Sequence, residues 1–176
     1  MHYWSDTVGA SVFLNRNKIG HIENSIFDPV NKAIVGFLLE RRNTEIRYRF
    51  FPVSQIKEIK RDSVYLKSTA EIATLPRVSR KNKILIEELL NKSVMDEKGE
   101  WIGRVADFAF DISNGAVREI IISGSFLEDL WLGRKRMPVL SKVEFSRELI
   151  RIDRDTKEEI TGLQKGLKKW FNIDSI

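Results

Sequence analysis

The amino-acid sequence predicts an all-β protein: two tandem small β-barrels with short helical insertions and a C-terminal amphipathic helix. Three observations lead there. The stretch KIGHIENSIFDPVNKAIVGFLLE returns 83 positions later as WIGRVADFAFDISNGAVREIIIS. From Ile19/Ile102 to Glu40/Ser123, six of 22 positions are identical: Ile19/Ile102, Gly20/Gly103, Phe27/Phe110, Asp28/Asp111, Asn31/Asn114 and Ala33/Ala116. Average residue usage gives about one such match. Second, the rest of each copy consists of short alternating runs separated by turn residues, the mark of hairpins. Third, the shared apolar positions Ile19, Ile22 and Phe27 are spaced by odd numbers, as are Ile102, Val105 and Phe110. Side chains alternate along a regular strand, so both copies must bend or bulge at matching places, as a small sheet does when it curls into a barrel.

The repeat divides the chain into a first barrel over 1–67, a linker over 68–90, a second barrel over 91–153 and a C-terminal helix over 154–176. Ser11 to Leu14 reads as a strand and Asn15 to Lys18 as its turn. The long strand from Ile19 ends at Asp28-Pro-Val-Asn31-Lys, a turn matched by Asp111-Ile-Ser-Asn114-Gly, where Asn-Gly signals a two-residue hairpin. Aliphatic strands follow at Ala33 to Glu40 and Ala116 to Ser123. The copies then diverge. In the first, Ile46, Tyr48 and Phe50 alternate with Arg47 and Arg49, which places both arginines on the solvent face. The second carries an insertion in which Ser125 and Glu128 have capping-box spacing, and Phe126 to Leu132 reads as a short helix ended by Gly133. Both copies close on a hairpin, QIKEIKRDSVYLK and SKVEFSRELIRID.

Within the linker, KILIEELL fits either a helix or the first strand of the second copy. At the C-terminus, Thr156 and Glu159 have capping-box spacing, and Ile160, Leu163, Leu167, Trp170 and Phe171 share one helical stripe. Gly162 and Gly166 each cost about 1 kcal/mol in a helix, so this element needs a docking surface.

The chain has 176 residues, 42% of them apolar and 31% charged, which describes an ordinary globular protein. Its N-terminal ten residues combine neither a basic region nor an apolar core, so no secretory signal is expected, and a cytoplasmic protein is. Cysteine is absent, which excludes disulfides and thiol chemistry. The net charge of +5 is spread thinly: residues 1–66 carry ten basic and seven acidic side chains, and 91–153 carry ten and eleven. That is not the dense stripe of a dedicated nucleic-acid binder.

The order of short strand, turn, Ile-Gly, Asp-ended strand, Asn turn, aliphatic strand and later Pro-Val (Pro52-Val53, Pro138-Val139) resembles the PRC-barrel family. That family takes its name from the cytoplasmic domain of the photosynthetic reaction-centre H subunit, and it also forms the C-terminal domain of a ribosome-maturation factor. The resemblance covers roughly 10–66 and 91–153. It implies tandem small barrels in which Gly20, Gly103, Asp28 and Asp111 are structural. It carries over no catalytic residue, since the H subunit's proton-conducting carboxylates have no motif to match.

Chemistry is sparse. His2 and His21 are the only histidines, so a multi-histidine metal site is not available. Phosphate-loop, dinucleotide and nucleophile-elbow motifs are missing. Asp28 and Asp111 each precede a turn and are read as acceptors for turn amides. No catalytic, cofactor-binding or metal-binding residue is assigned, and no enzyme activity is expected. Two surfaces remain. Phe126, Leu127, Leu130 and Trp131 are too many large apolar groups for one small barrel to cover: either they are buried against the other barrel or the C-terminal helix, or they form the candidate partner-binding site. Arg41, Arg42, Arg47 and Arg49 are the alternative, a nucleic-acid surface. The expected function is a protein-interaction or assembly adaptor, with a protein partner or a second copy of the chain. An RNA- or ribosome-associated maturation factor using the basic first barrel and the linker, with its Arg77, Arg80, Lys81 and Lys83, is the second reading. A membrane surface contacted by Lys165, Lys168 and Lys169 is the third.

Overall fold

The structure is a computed structural model and describes residues 1–40, 48–75, 82–124 and 133–162. It is mostly β, and one plan is used twice. The first copy has β1 (His2–Tyr3), α1 (Trp4–Thr7), β2 (Ser11–Leu14), β3 (Asn17–Asp28), β4 (Ala33–Leu39), β5 (Tyr48–Pro52), β6 (Ile56–Lys60), β7 (Ser63–Leu66) and β8 (Ala73–Leu75). The second has β9 (Ile84–Leu85), α2 (Ile86–Leu89), β10 (Ser93–Asp96), β11 (Trp101–Phe110), β12 (Val117–Ser123), β13 (Lys135–Pro138), β14 (Glu144–Phe145) and β15 (Leu149–Ile152). It ends with α3 (Arg154–Glu158) and β16 (Thr161–Gly162). One sheet runs β6-β7-β2-β3-β4-β5-β8 and the other β14-β15-β10-β11-β12-β13-β16, the same order eight strands later. The duplicated sequence thus folds into a duplicated topology, and the copy begins earlier than the aligned stretch. KILIEELL splits between a strand and a helical turn, repeating β1 and α1.

Among the anticipated bends, one is a bulge at the same place in both copies, and β3 shifts register again against β4 between Ile22 and Asn24 and between Ile26 and Phe27. Val12 pairs with Gly20 but Phe13 with Lys18, skipping Ile19; Val94 pairs with Gly103 but Met95 with Trp101, skipping Ile102. A bulge adds a residue to one strand and sharpens its twist, which needs unusual dihedrals beside it. Gly20 and Gly103 supply them with φ of 154° and 156°. The Asp-Asn turns are longer than expected. Asp28 pairs with Ala33, and the Asp111 amide donates to the Ala116 carbonyl at 2.9 Å, so four residues form each loop rather than two. Gly115 takes its positive φ of 75° at the last loop position, where Lys32 of the first copy has 52°.

By compactness the chain forms two units, Met1–Glu88 with Ala109–Val117, and Leu89–Phe108 with Arg118–Ile176. In the first unit, Phe37 is fully buried and stands 5.6 Å from Phe51, 6.0 Å from Phe110 and 6.5 Å from Trp4, ring centre to ring centre. Val12, Ile22, Phe27, Ile34 and Val64 are buried in the same unit. The backbone pairings of this unit are reciprocal in the repeat. His2 and Tyr3 pair with Phe110 and Ala109, while Ile84 and Leu85 pair with Phe27 and Ile26. Ala33 bridges Ala116, flanked by bonds from the Ile34 amide to the Gly115 carbonyl (2.8 Å) and from the Val117 amide to the Lys32 carbonyl (2.9 Å).

In the second unit Val94, Val105, Phe108, Ile120, Ile122, Met137 and Ile150 form the core. Here the C-terminal helix differs from expectation. It is one turn long, and its N-cap is Asp153, whose carboxylate accepts from the Thr156 amide at 3.0 Å and from the Thr156 hydroxyl. Thr156 is fully buried, not the cap. After Glu159 the chain extends, and Thr161–Gly162 pairs with Arg136 and Lys135 of β13. An edge strand that takes free backbone groups on β13 outweighs a stripe interrupted by glycine. Leu163, Leu167, Trp170 and Phe171 lie outside the described residues.

Candidate functional site

The repeated carboxylates serve their turns. Asp28 Oδ1 accepts from the amides of Val30 (3.0 Å) and Asn31 (3.2 Å), and its Oδ2 accepts from Asn31 Nδ2 (2.8 Å) and from the Lys83 ammonium. Asp111 Oδ1 accepts from the Ser113 amide (2.9 Å) and hydroxyl (2.7 Å). Asp28 is only 6% exposed, and burial by itself would raise its pKa. The Lys83 and Asn31 side chains and the two amides outweigh that and hold it at about 2. A depressed carboxylate stabilises the fold above its ordinary titration range and stops doing so as pH falls through its folded value. Acidification from pH 4 to pH 2 should therefore cost on the order of 2 kcal/mol through this one group. Melts of wild type and Asp28→Asn across that range check it, because the variant's curve should fall less steeply.

A cleft in the second unit is the better candidate for recognition. It has a volume of about 520 Å³ and is lined by Glu100, Trp101, Ile102, Gly133, Lys135, Lys157 and Ile160. Its wall is built from ion pairs. Asp96 Oδ1 accepts from the amides of Lys98 (2.9 Å) and Glu100 (2.8 Å), closing the turn between β10 and β11. Lys157 of α3 then reaches Asp96 Oδ2 at 2.9 Å and Glu100 Oε2 at 2.7 Å. Glu100 and Asp96 hold the ammonium above the ordinary lysine pKa, and Lys157 in turn holds Asp96 below the ordinary carboxylate range. Trp101 is 43% exposed at the start of β11 and lines the cleft with Ile102 and Ile160. An indole half open to water, with aliphatic neighbours and a charged rim, suits an apolar side chain of a partner.

The sequence-derived sites fare unevenly. Phe126, Leu127, Leu130 and Trp131 lie outside the described residues, as do Arg41, Arg42 and Arg47. Arg49 is half-buried rather than open to solvent: its Nη1 donates to the Ile19 carbonyl (2.8 Å) and its Nη2 to the Glu40 carbonyl (3.0 Å). The bulge sets Ile19 outside the register with β2, and the guanidinium covers its carbonyl. His21 Nδ1 is 3.0 Å from the Gly9 carbonyl, a strand contact. Trp101 went unassigned in the sequence, although a signal was present, since it stands where the first copy has Lys18. Among the described residues no group of three or more His, Asp or Glu side chains is placed to hold a metal ion, and no helix is long and apolar enough to cross a membrane.

A mostly β chain with one strand order used twice, bulged beside a glycine and turned on a buried or hydrogen-bonded aspartate, is the class that the fold and site define. Residues 81–158 match the family model of the PRC-barrel domain. The matched segment starts ahead of β9 and ends at the last residue of α3, so it takes in the strand and helical turn that precede β10. No curated protein matches the sequence.

Proposed function

We propose that this protein is a non-enzymatic adaptor made of two PRC-barrel-like copies, and that it captures a protein partner through the Trp101 cleft of its second unit. The observation that carries this reading is the exposed indole on a wall whose charged groups are already engaged with one another. Lys157, Asp96 and Glu100 satisfy each other, so what the cleft offers a ligand is apolar surface within a polar rim. The insertion supports the same reading by composition, since Phe126, Leu127, Leu130 and Trp131 immediately precede Gly133 in the chain. Aromatic anchors dominate interface energies, so Trp101→Ala should weaken partner capture by about 2 kcal/mol, some thirtyfold. Being exposed, the residue should contribute within about 0.5 kcal/mol to folding. Affinity capture and a melt on the same variant test the proposal, with light scattering to show whether the partner is a second copy. Undiminished capture by Trp101→Ala would sink it.

A further inference from the structure

We propose that the first unit binds single-stranded nucleic acid in a groove on the outward face of β2, β6 and β7. The groove has a volume of about 560 Å³, and Phe13 and Tyr65 form its floor. Their rings stack, with centres 5.3 Å apart and planes inclined by 17°, and each is half-buried, with part of the ring open to the groove. Alternation explains this placement: Val12 and Val64 are fully buried, so the next residue of each strand points outward. Four exposed cations surround the rings. Arg16 and Lys57 line the groove and have no ion-pair partner among the described residues. Lys67 donates once, to the Ser54 carbonyl at 2.6 Å, leaving two of its three donors. Lys18 lies opposite Phe13 in the β2–β3 register. The one carboxylate of the lining, Glu58, is 3.3 Å from Lys60, whose ammonium also sits 5.2 Å from the centre of the Tyr65 ring.

The fold does not require this arrangement, because the second unit does without it. At the register of Phe13 and Tyr65 it has Met95 and Arg151. The same corner there is lined by Asp96, Glu97, Lys98, Glu100, Arg154, Lys157 and Glu158, and Lys157 is bound to two of those carboxylates. The first unit's corner is instead an aromatic floor inside a net positive rim. Bases stack on aromatic rings while phosphates follow a cationic groove, and the combination favours a single strand over a duplex, whose bases are not open to stacking. An acidic peptide would use the cations but has no need of the rings.

The test is fluorescence anisotropy of a labelled twelve-nucleotide uridine oligomer with the full chain, across a salt series. Binding should weaken as salt rises. Arg16→Glu combined with Lys57→Glu should lower affinity at least tenfold and reduce the magnitude of the log–log salt slope by about 1.4, at about 0.7 per phosphate contact on a single strand. Phe13→Leu keeps the apolar volume and removes the ring, so affinity should fall about fivefold or more while binding of polyphosphate is unchanged. Phe13→Tyr should restore oligomer binding, and melts confirm that each variant is folded. The proposal is overturned by no salt-sensitive binding of the oligomer or by polyphosphate binding as tight as the oligomer's. It is equally overturned by Phe13→Leu binding like wild type, or by preference for an acidic peptide or phosphatidylserine vesicles.

Discussion

Gly115→Ala should be among the most damaging single-methyl substitutions in this protein, with an expected loss of about 3 kcal/mol or more. A Cβ at that position would lie 2.1 Å from the Ile34 carbonyl oxygen, a backbone atom that cannot swing aside. Relief would require pulling apart the bonds between Ile34 and Gly115 and between Val117 and Lys32, and with them the Ala33–Ala116 bridge. The positive φ of Gly115 contributes less, because Lys32 holds 52° at the matching loop position with a full side chain. Gly99 separates the two causes. Its φ is 81° and a Cβ there meets nothing within 4 Å, so Gly99→Ala should cost only the dihedral penalty of about 1 kcal/mol. Chemical denaturation of the two variants side by side is the measurement. Equal losses would mean that the contact with Ile34 is immaterial.

Gly103→Val carries the second large effect, and its control is its own repeat. A Cβ on Gly103 would lie 2.4 Å from Ile122 Cγ2 and 2.7 Å from the Ser123 carbonyl oxygen. On Gly20, with nearly the same φ, the nearest atom is Arg49 Nη2 at 3.3 Å, followed by Leu39 at 3.8 Å. Dihedral strain is therefore common to both sites, while severe overpacking, which typically costs a further 1–3 kcal/mol, falls on Gly103 and only a slight crowding against a flexible side chain on Gly20. Gly103→Val should destabilise its unit by about 3 kcal/mol, and Gly20→Val by about half of that or less. The end of an arginine can give way where a backbone carbonyl cannot. Two variants that melt together would refute the distinction.

Several features were readable directly from residue types. Asp28 and Asp111 were expected to accept from turn amides, and they do so because an aspartate two or three residues ahead of an amide reaches it without help from the rest of the fold. The bulges followed from odd apolar spacing, since alternation is a local rule. Other readings failed where a remote partner decided. Ile160 continues a helical stripe on paper, yet β13 offers Arg136 and Lys135 as a ladder for Thr161 and Gly162, and the helix that begins at Arg154 stops after one turn. Arg49 alternates with Tyr48 and Phe50 like a solvent-facing residue, but the carbonyls of Ile19 and Glu40, 30 and nine positions away, claim its guanidinium. The Asn114-Gly115 pair predicted a tight hairpin, and the glycine is instead needed for the Ile34 carbonyl. Trp101 was in plain view, but the cleft beside it is completed by Lys157, which reaches back 57 positions to Glu100.

Residue types alone show that this protein is mostly β, that one stretch is written in it twice, that a glycine stands beside the bulge both copies share, and that an aspartate precedes the turn both copies share. These are consequences of alternation, backbone dihedrals and short-range hydrogen bonding, which act between near neighbours in the chain. Remote contacts settle which repeated glycine is crowded, which arginine is occupied, where the helix that begins at Arg154 stops and which aromatic rings reach the surface. Those outcomes depend on what stands within 4 Å of a residue from a distant part of the chain, and no local pattern carries that information.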